Sequence, residues 1–196
     1  MADLDGRTVA ILATHMVEEA ELVDTRRFLD DAGADTILVA PESGEIQSFH
    51  DAERSFGKSY PVELMLDDAQ VDDFDALYLP GGVANADQLR INENAVRFVQ
   101  EFYESGMPIG VICHGPWTLV EAGAVRGRTI TSWPSLQTDL RNAGANWVDQ
   151  QVVVDEGLVS SRKPDDIPTF APKLIDEIRE GRHGKRQAAE AGARRM

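Results

Sequence analysis

The feature that most constrains the fold is an alternation of short apolar blocks with helix-length amphipathic stretches. Thr8 to Ala13 (TVAILA) and Asp35 to Ala40 (DTILVA) are continuous apolar runs of buried-strand length. Between them, Glu18 to Ala32 is rich in helix formers and stops before Gly33. Strand, helix and strand in this order predict a βαβ unit. Phe74 to Leu79 (FDALYL) is the next strand, stopped by Pro80-Gly81-Gly82. From Asn94 to Glu104, Ala95, Val96, Phe98, Val99, Phe102 and Tyr103 fall on the stripe of a half-buried helix. Pro108 to Ile112 (PIGVI) is a fourth buried strand, running into Cys113-His114-Gly115-Pro116-Trp117 and a helix that ends near Gly123. Glu42 to Gly57 lacks clear period and Tyr60 to Leu66 alternates weakly, which predicts a hairpin or excursion at the sheet edge. The remainder reads as a strand at Arg128 to Ser132, a short helix at Ser135 to Asn142, strands at Val152 to Val154 and Leu158 to Ser160, and a helix from about Asp166 to Glu180.

This order predicts one doubly wound α/β domain over residues 1–180, a mostly parallel sheet with helices on both faces. Ligands of such sheets sit beyond the carboxyl ends of the strands. The informative segments are therefore Thr14 to Glu18, Pro80 to Asp87 and Cys113 to Trp117.

Composition narrows the function classes. No apolar run approaches the roughly 18 residues of a membrane span, and 42% hydrophobic content excludes a disordered chain. The start, MADLDGRTVAILA, has neither the basic region nor the cleavage site of a secretory signal, so a cytoplasmic location is expected. The 196 residues carry a net charge of −15. The last 16 hold five basic groups and one acidic, leaving residues 1–180 at −19. Such a body repels phosphate backbones, so no nucleic-acid partner is expected, and no membrane partner either. Residues 181–196 read as a basic, flexible tail. Asp outnumbers Glu 19 to 15 and Arg outnumbers Lys 15 to 4, a balance that suits a halophile. One cysteine excludes an intrachain disulfide. The four histidines show no HxxxH or HxH spacing, so neither a metal nor a cofactor is expected.

Cys113 lies between a strand and a helix, with Gly115 two positions on. This is the pattern of a nucleophile elbow, in which a tight turn lifts the side chain over the sheet edge. The helix start supplies free N–H groups and a positive dipole end, which predict a thiol pKa below about 8.5. His114 is the candidate proton acceptor or neighbouring cation. Glu18, Glu19 and Glu21 follow the first strand, on the same sheet edge. A carboxyl there assists the sulfur only when protonated and buried, and Glu18, nearest the strand end, is the candidate. Gly82 and His114 are candidates for the backbone N–H groups of an oxyanion hole.

The strings VICHGPW, LPGG, EEAEL and GRTITSWPSLQTDLRNAGANWVDQQVVVDEGLVSSRKPDD together resemble the ThiJ/PfpI superfamily, in its PfpI-type intracellular protease branch, from about Arg7 to Glu180. The resemblance implies a flavodoxin-like sandwich, a reactive Cys113 beside His114, a hydrogen-bonding Glu18, an oxyanion site at the Gly82 and His114 amides, and a homodimer or higher homo-oligomer. Class I glutamine amidotransferases look similar at the elbow, but their His-x-Glu pair is replaced here by Ser160-Ser161-Arg162-Lys163. Archaeal protease-like members carry a Glu four residues after the double glycine. Ala86 stands at that position, leaving Asp87 as a possible third acid and peptidase activity in question.

Two function classes follow. One is a cysteine-nucleophile stress-response enzyme acting on a small carbonyl or peptide substrate, with the glyoxalase, deglycase or peptidase activities the resemblance implies. The other is a non-enzymatic redox sensor or chaperone-like protein with an oxidisable Cys113. The acidic body makes a test independent of the site. Self-repulsion is screened by salt, so the urea midpoint should rise between about 0.1 M and about 1 M KCl, and equal midpoints would remove the halophile reading.

Overall fold

A computed structural model describes residues 3–184, 186 and 188. In chain order the elements are β1 (Thr8–Leu12), α1 (Glu19–Asp31), β2 (Asp35–Ala40), β3 (Glu45–His50), β4 (Ser55–Pro61), β5 (Leu64–Met65), β6 (Ala76–Leu79), α2 (Val83–Ile91), α3 (Glu93–Ser105), β7 (Ile109–Ile112), α4 (Pro116–Glu121), β8 (Thr129–Ile130), α5 (Gln137–Asn142), β9 (Asn146–Trp147), β10 (Val152–Asp155), β11 (Leu158–Ser161) and α6 (Ile167–Glu180). The central sheet has seven strands in the order β10-β11-β7-β6-β1-β2-β5, and only β10 runs antiparallel to its neighbour. This is the flavodoxin-like, mostly parallel arrangement.

The strands at the centre are buried on both faces, which is why they read as unbroken apolar runs. One core layer gathers Phe98, Val99 and Phe102 of α3 with Leu77, Ile109 and Leu119. The other gathers Leu22 and Leu29 of α1, Tyr78, and Phe170 and Leu174 of α6. The stripe seen in α3 is its buried face, and its ends are satisfied locally. Asn92 Oδ1 accepts from the N–H groups of Asn94 and Ala95, both at 3.0 Å, and Gly106 closes the helix in the left-handed region. Gly110 lets α6 approach β7, since a Cβ there would fall 2.5 Å from the Leu174 side chain.

The expected edge excursion is a separate antiparallel hairpin, β3 with β4, which pairs with no strand of the main sheet. Two expectations need correction. The Arg128 to Ser132 strand shrinks to β8 and pairs with β9 in a small parallel pair outside the main sheet. A helix not anticipated, α2, follows Gly82. It buries only Asn85, Ala86 and Leu89, so it shows no apolar stripe in the sequence. Most of the tail, 181–196, lies outside the described residues. Within the described part, His183 N–H donates to Gly106 O at 2.8 Å and the Arg186 guanidinium lies 5.4 Å from the Tyr103 ring centroid. Among the described residues no helix is long and apolar enough to cross a membrane.

The turn from β7 into α4 requires glycine at 115. A Cβ there would lie 2.8 Å from Leu79 O and from Val111 Cγ2, and 3.0 Å from Ile112 O. Two of these are backbone atoms at the centre of the sheet and cannot yield cheaply. Gly115→Ala should therefore lower unfolding free energy by about 1–3 kcal/mol, read from the denaturant midpoint at unchanged m-value.

Candidate active site

Cys113 is the residue after β7, and its φ is 60°, in the left-handed region. A side chain there costs about 1–3 kcal/mol of strain, which the surroundings must hold. They do so through Cys113 N–H to Ser161 O at 3.1 Å and Trp133 N–H to Cys113 O at 2.9 Å. The effect is to turn Sγ off the strand axis and over the sheet edge, as expected of an elbow. Two glycines clear the space opposite. A Cβ on Gly81 would fall 2.5 Å from Glu21 Oε2 and 2.7 Å from Cys113 Cβ. Gly82 has φ 89°, and a Cβ there would fall 2.5 Å from Met16 O.

The carboxyl beside the sulfur belongs to Glu21, which corrects the assignment to Glu18. Glu21 is fully buried, and its Oε2 accepts the Gly81 N–H at 2.7 Å. Glu18 instead precedes α1 as its cap residue and turns toward the hairpin, where Oε2 accepts the Asp51 N–H at 2.8 Å. The reason is helical geometry. Positions 21, 25 and 29 of α1 recur every four residues and face the sheet with Leu22. A glutamate sharing that face with Thr25 and Leu29 was a usable signal, whereas closeness to the strand end was a misleading one.

Burial sets the protonation states. Desolvation pushes Glu21 up to about 8, against the Gly81 hydrogen bond that pulls it down, so near neutral pH most of it is protonated. Burial pushes the Cys113 thiol well up, and an ionised Glu21 would push it further, while the Gly82 N–H facing the sulfur lowers it. The thiol is therefore raised, where the sequence reading expected it lowered. Burial pushes His114 down, with Asp51 opposing, which leaves a neutral ring near pH 7. Its Nδ1 lies 3.1 Å from Cys113 Sγ, its Nε2 lies 3.5 Å from Ser135 Oγ, and the ring stacks on Trp133 at 6.0 Å.

These groups open into a cavity of about 480 Å³ whose far wall is the β3–β4 hairpin, with Phe49, Asp51, Ala52 and Arg54. Glu18, Val83, Trp133 and Pro164 also line it. Of the expected site residues, Cys113, His114 and Gly82 converge. Glu18 lies on the wall, and the exposed Asp87 is not among the lining residues. The His114 N–H has no acceptor among the described residues and stands beside Gly81, so it is free to serve an incoming oxygen. Sequence reading missed Asp51, Arg54 and Trp133 as site residues, because the segments that carry them reach the site only through tertiary contacts.

A buried cysteine on a strained strand-to-helix turn, paired with a histidine and a buried glutamate in a flavodoxin-like sandwich, defines a class of cysteine-elbow α/β proteins. The chain belongs to the DJ-1/PfpI family, whose pattern matches residues 7–177. It is 40% identical over 167 residues to a protein named deglycase from Pyrococcus horikoshii, covering 85% of this chain and 96% of that one. It is 36% identical over 166 residues to General stress protein 18 of Bacillus subtilis, covering 84% and 94%. A crystal structure of a two-domain protein with DJ-1/ThiJ/PfpI-like and ferritin-like domains from Anabaena variabilis superposes with a TM-score of 0.81 at 32% identity. That match covers 88% of this chain but only 48% of the other, so this chain spans about half of it.

Glu21 binds its proton more tightly folded, at about 8, than its ordinary 4.5. Below pH 4.5 both states are protonated and there is no penalty. Between 4.5 and 8 the unfolded chain ionises while the folded one does not, so stability falls as pH rises. Glu21→Gln keeps the shape without the titration. Its denaturant midpoint should match wild type near pH 4.5 and exceed it increasingly toward pH 8.5. A constant gap across that window would show that Glu21 is already ionised.

Proposed function

We propose that the protein is a stress-response enzyme whose nucleophile is Cys113 and whose substrates are reactive carbonyl compounds or their adducts, as in a glyoxalase or deglycase. The observation that carries this reading is the buried Cys113–Glu21 pair with a neutral His114 at 3.1 Å from the sulfur. It is supported by the relatives named deglycase and general stress protein.

In this reading the thiol adds to the carbonyl carbon. The S–C bond forms as the C=O π bond opens, His114 Nδ1 takes the thiol proton, and the resulting oxyanion is held by the Gly82 and His114 N–H groups. Glu21, protonated near neutral pH, donates toward the sulfur and stabilises it as it gains negative charge. Creating that charge only on attack suits a buried thiol. A 2-oxoaldehyde then needs one proton moved from the former aldehyde carbon to its neighbour and one water to release the hydroxy acid and restore the thiol. An adduct needs water and release of the carried amine or thiol. The oxygen and proton balance closes in both without an oxidant.

The alternative, a redox sensor without turnover, is less well served. Peroxide reacts with the thiolate, and burial holds Cys113 as the thiol. Peptidase activity has less support than carbonyl chemistry, since Ala86 is buried, Asp87 is exposed, and neither lines the cavity. We place the protein in the cytoplasm as a homo-oligomer on the strength of the family alone.

Methylglyoxal loss and release of purified, carbonyl-free adducts should both occur with wild type and be absent in Cys113→Ser. Glu21→Gln should lower kcat/KM by about 10²-fold or more, with Glu18→Gln much closer to wild type. Full turnover by Cys113→Ser in either assay would overturn the nucleophile assignment. Wild type inactive in both, with Cys113 oxidised by one equivalent of peroxide, would favour the sensor.

A further inference from the structure

A second group of chemically capable side chains lies away from this cavity, where α6 ends. Glu177 and Glu180 are one helical turn apart on α6, so they share a face. Gly181, with φ 85°, ends the helix and turns the chain back, and His183 is held there by its N–H bond to Gly106 O at 2.8 Å. The three side chains bring one donor atom each to within 4.8 Å of one another.

Among the described residues, two of those donors lack an aligned hydrogen-bond partner. Glu177 is 9% exposed, and its Oε2 is buried. His183 Nε2 is also buried and lies 2.8 Å from that oxygen. At this distance an aligned ring N–H would form a strong hydrogen bond, but the alignment is missing and the two atoms meet only in an ion-pair contact. A buried carboxylate oxygen and a buried ring nitrogen pointing at common ground, with neither satisfied, leave a cost that a cation between them would remove. The nearby guanidiniums are engaged elsewhere. Arg179 reaches Asp176 at 2.8 Å, Arg182 reaches Asp72 at 3.8 Å, and Arg186, the neighbour of His183, donates to Glu156 O and lies over the Tyr103 ring.

We propose that Glu177, Glu180 and His183 bind a divalent transition-metal cation of the zinc type, which fastens the start of the C-terminal tail to the end of α6. Two carboxylate oxygens and one imidazole suit zinc and its neighbours in the first transition row, whereas calcium and magnesium take oxygen ligands. Tetrahedral zinc with bonds near 2.0–2.2 Å sets its donors about 3.3 Å apart, so small side-chain rotations would close the three around the ion. The carbonyl end of α6 adds a favourable negative field. Solvent can fill the fourth position, because Glu180 is exposed. The spacing Glu-x-x-Glu-x-x-His crosses a helix end, so it is not one of the short histidine motifs expected of metal sites.

Full-length protein stripped with a chelator can be titrated with Zn²⁺ by calorimetry. The Cys113 thiol is a rival ligand, so Cys113→Ser is the reference. One equivalent should bind to Cys113→Ser. Adding His183→Ala, or Glu180→Gln at an exposed position where folding is not at risk, should weaken binding at least about 10-fold. Co²⁺ bound to Cys113→Ser should show visible ligand-field bands with no thiolate charge-transfer band. Zn²⁺ should raise Tm in Cys113→Ser but not after His183→Ala. Saturable binding that is absent from Cys113→Ser but kept in His183→Ala would place the metal at the thiol and overturn the proposal. No saturable binding in Cys113→Ser would reduce Glu177 and His183 to an ion pair and overturn it equally.

Discussion

The left-handed backbone at Cys113 is the constraint on which the site depends, because it lifts one side chain out of a strand buried on both faces. Such a turn stores strain in any residue other than glycine, and here it is held by the hydrogen bonds to Ser161 and from Trp133. Those two bonds come from segments more than nineteen residues away in the chain. The elbow therefore exists only once β11 and the loop after β8 are in place. Gly81, Gly82 and Gly115 serve the same end from the other side, by leaving out the Cβ atoms that would collide with the turn or with its partners.

Removal of water then sets the chemistry. A carboxyl and a thiol in contact within one dry cleft cannot both ionise, and the pair keeps its protons near neutral pH. A protonated Glu21 donates to the sulfur where an ionised one would repel it. Burial thus holds both the thiol and the carboxyl in their protonated forms.

The cavity is shared between conserving order and adapting shape. Its floor carries Cys113 and His114, which follow β7, and Glu21 of α1. Its far wall comes from the β3–β4 hairpin, which pairs with no strand of that sheet and is joined to the floor through Glu18 and Asp51.

By itself the sequence determined most of the element order, the parallel sheet, and the position of Cys113, His114 and the double glycine at one sheet edge. These are local matters: apolar blocks of strand length, periodic stripes such as that of α3, and the glycines that tight turns require. The helix α2 escaped notice because its buried face carries Asn85 and Ala86 in place of large apolar residues. Which glutamate meets the sulfur was decided by the rotation of α1 on the sheet, which turns Glu21 inward and Glu18 toward Asp51. Asp51, Arg54 and Trp133 reached the site only because the hairpin and the loop after β8 fold over it. The thiol's protonation state likewise depended on solvent exclusion by all these parts together. Local pattern specifies which way a chain segment coils, whereas proximity and desolvation are properties of segments brought together from afar, and only the tertiary structure carries them.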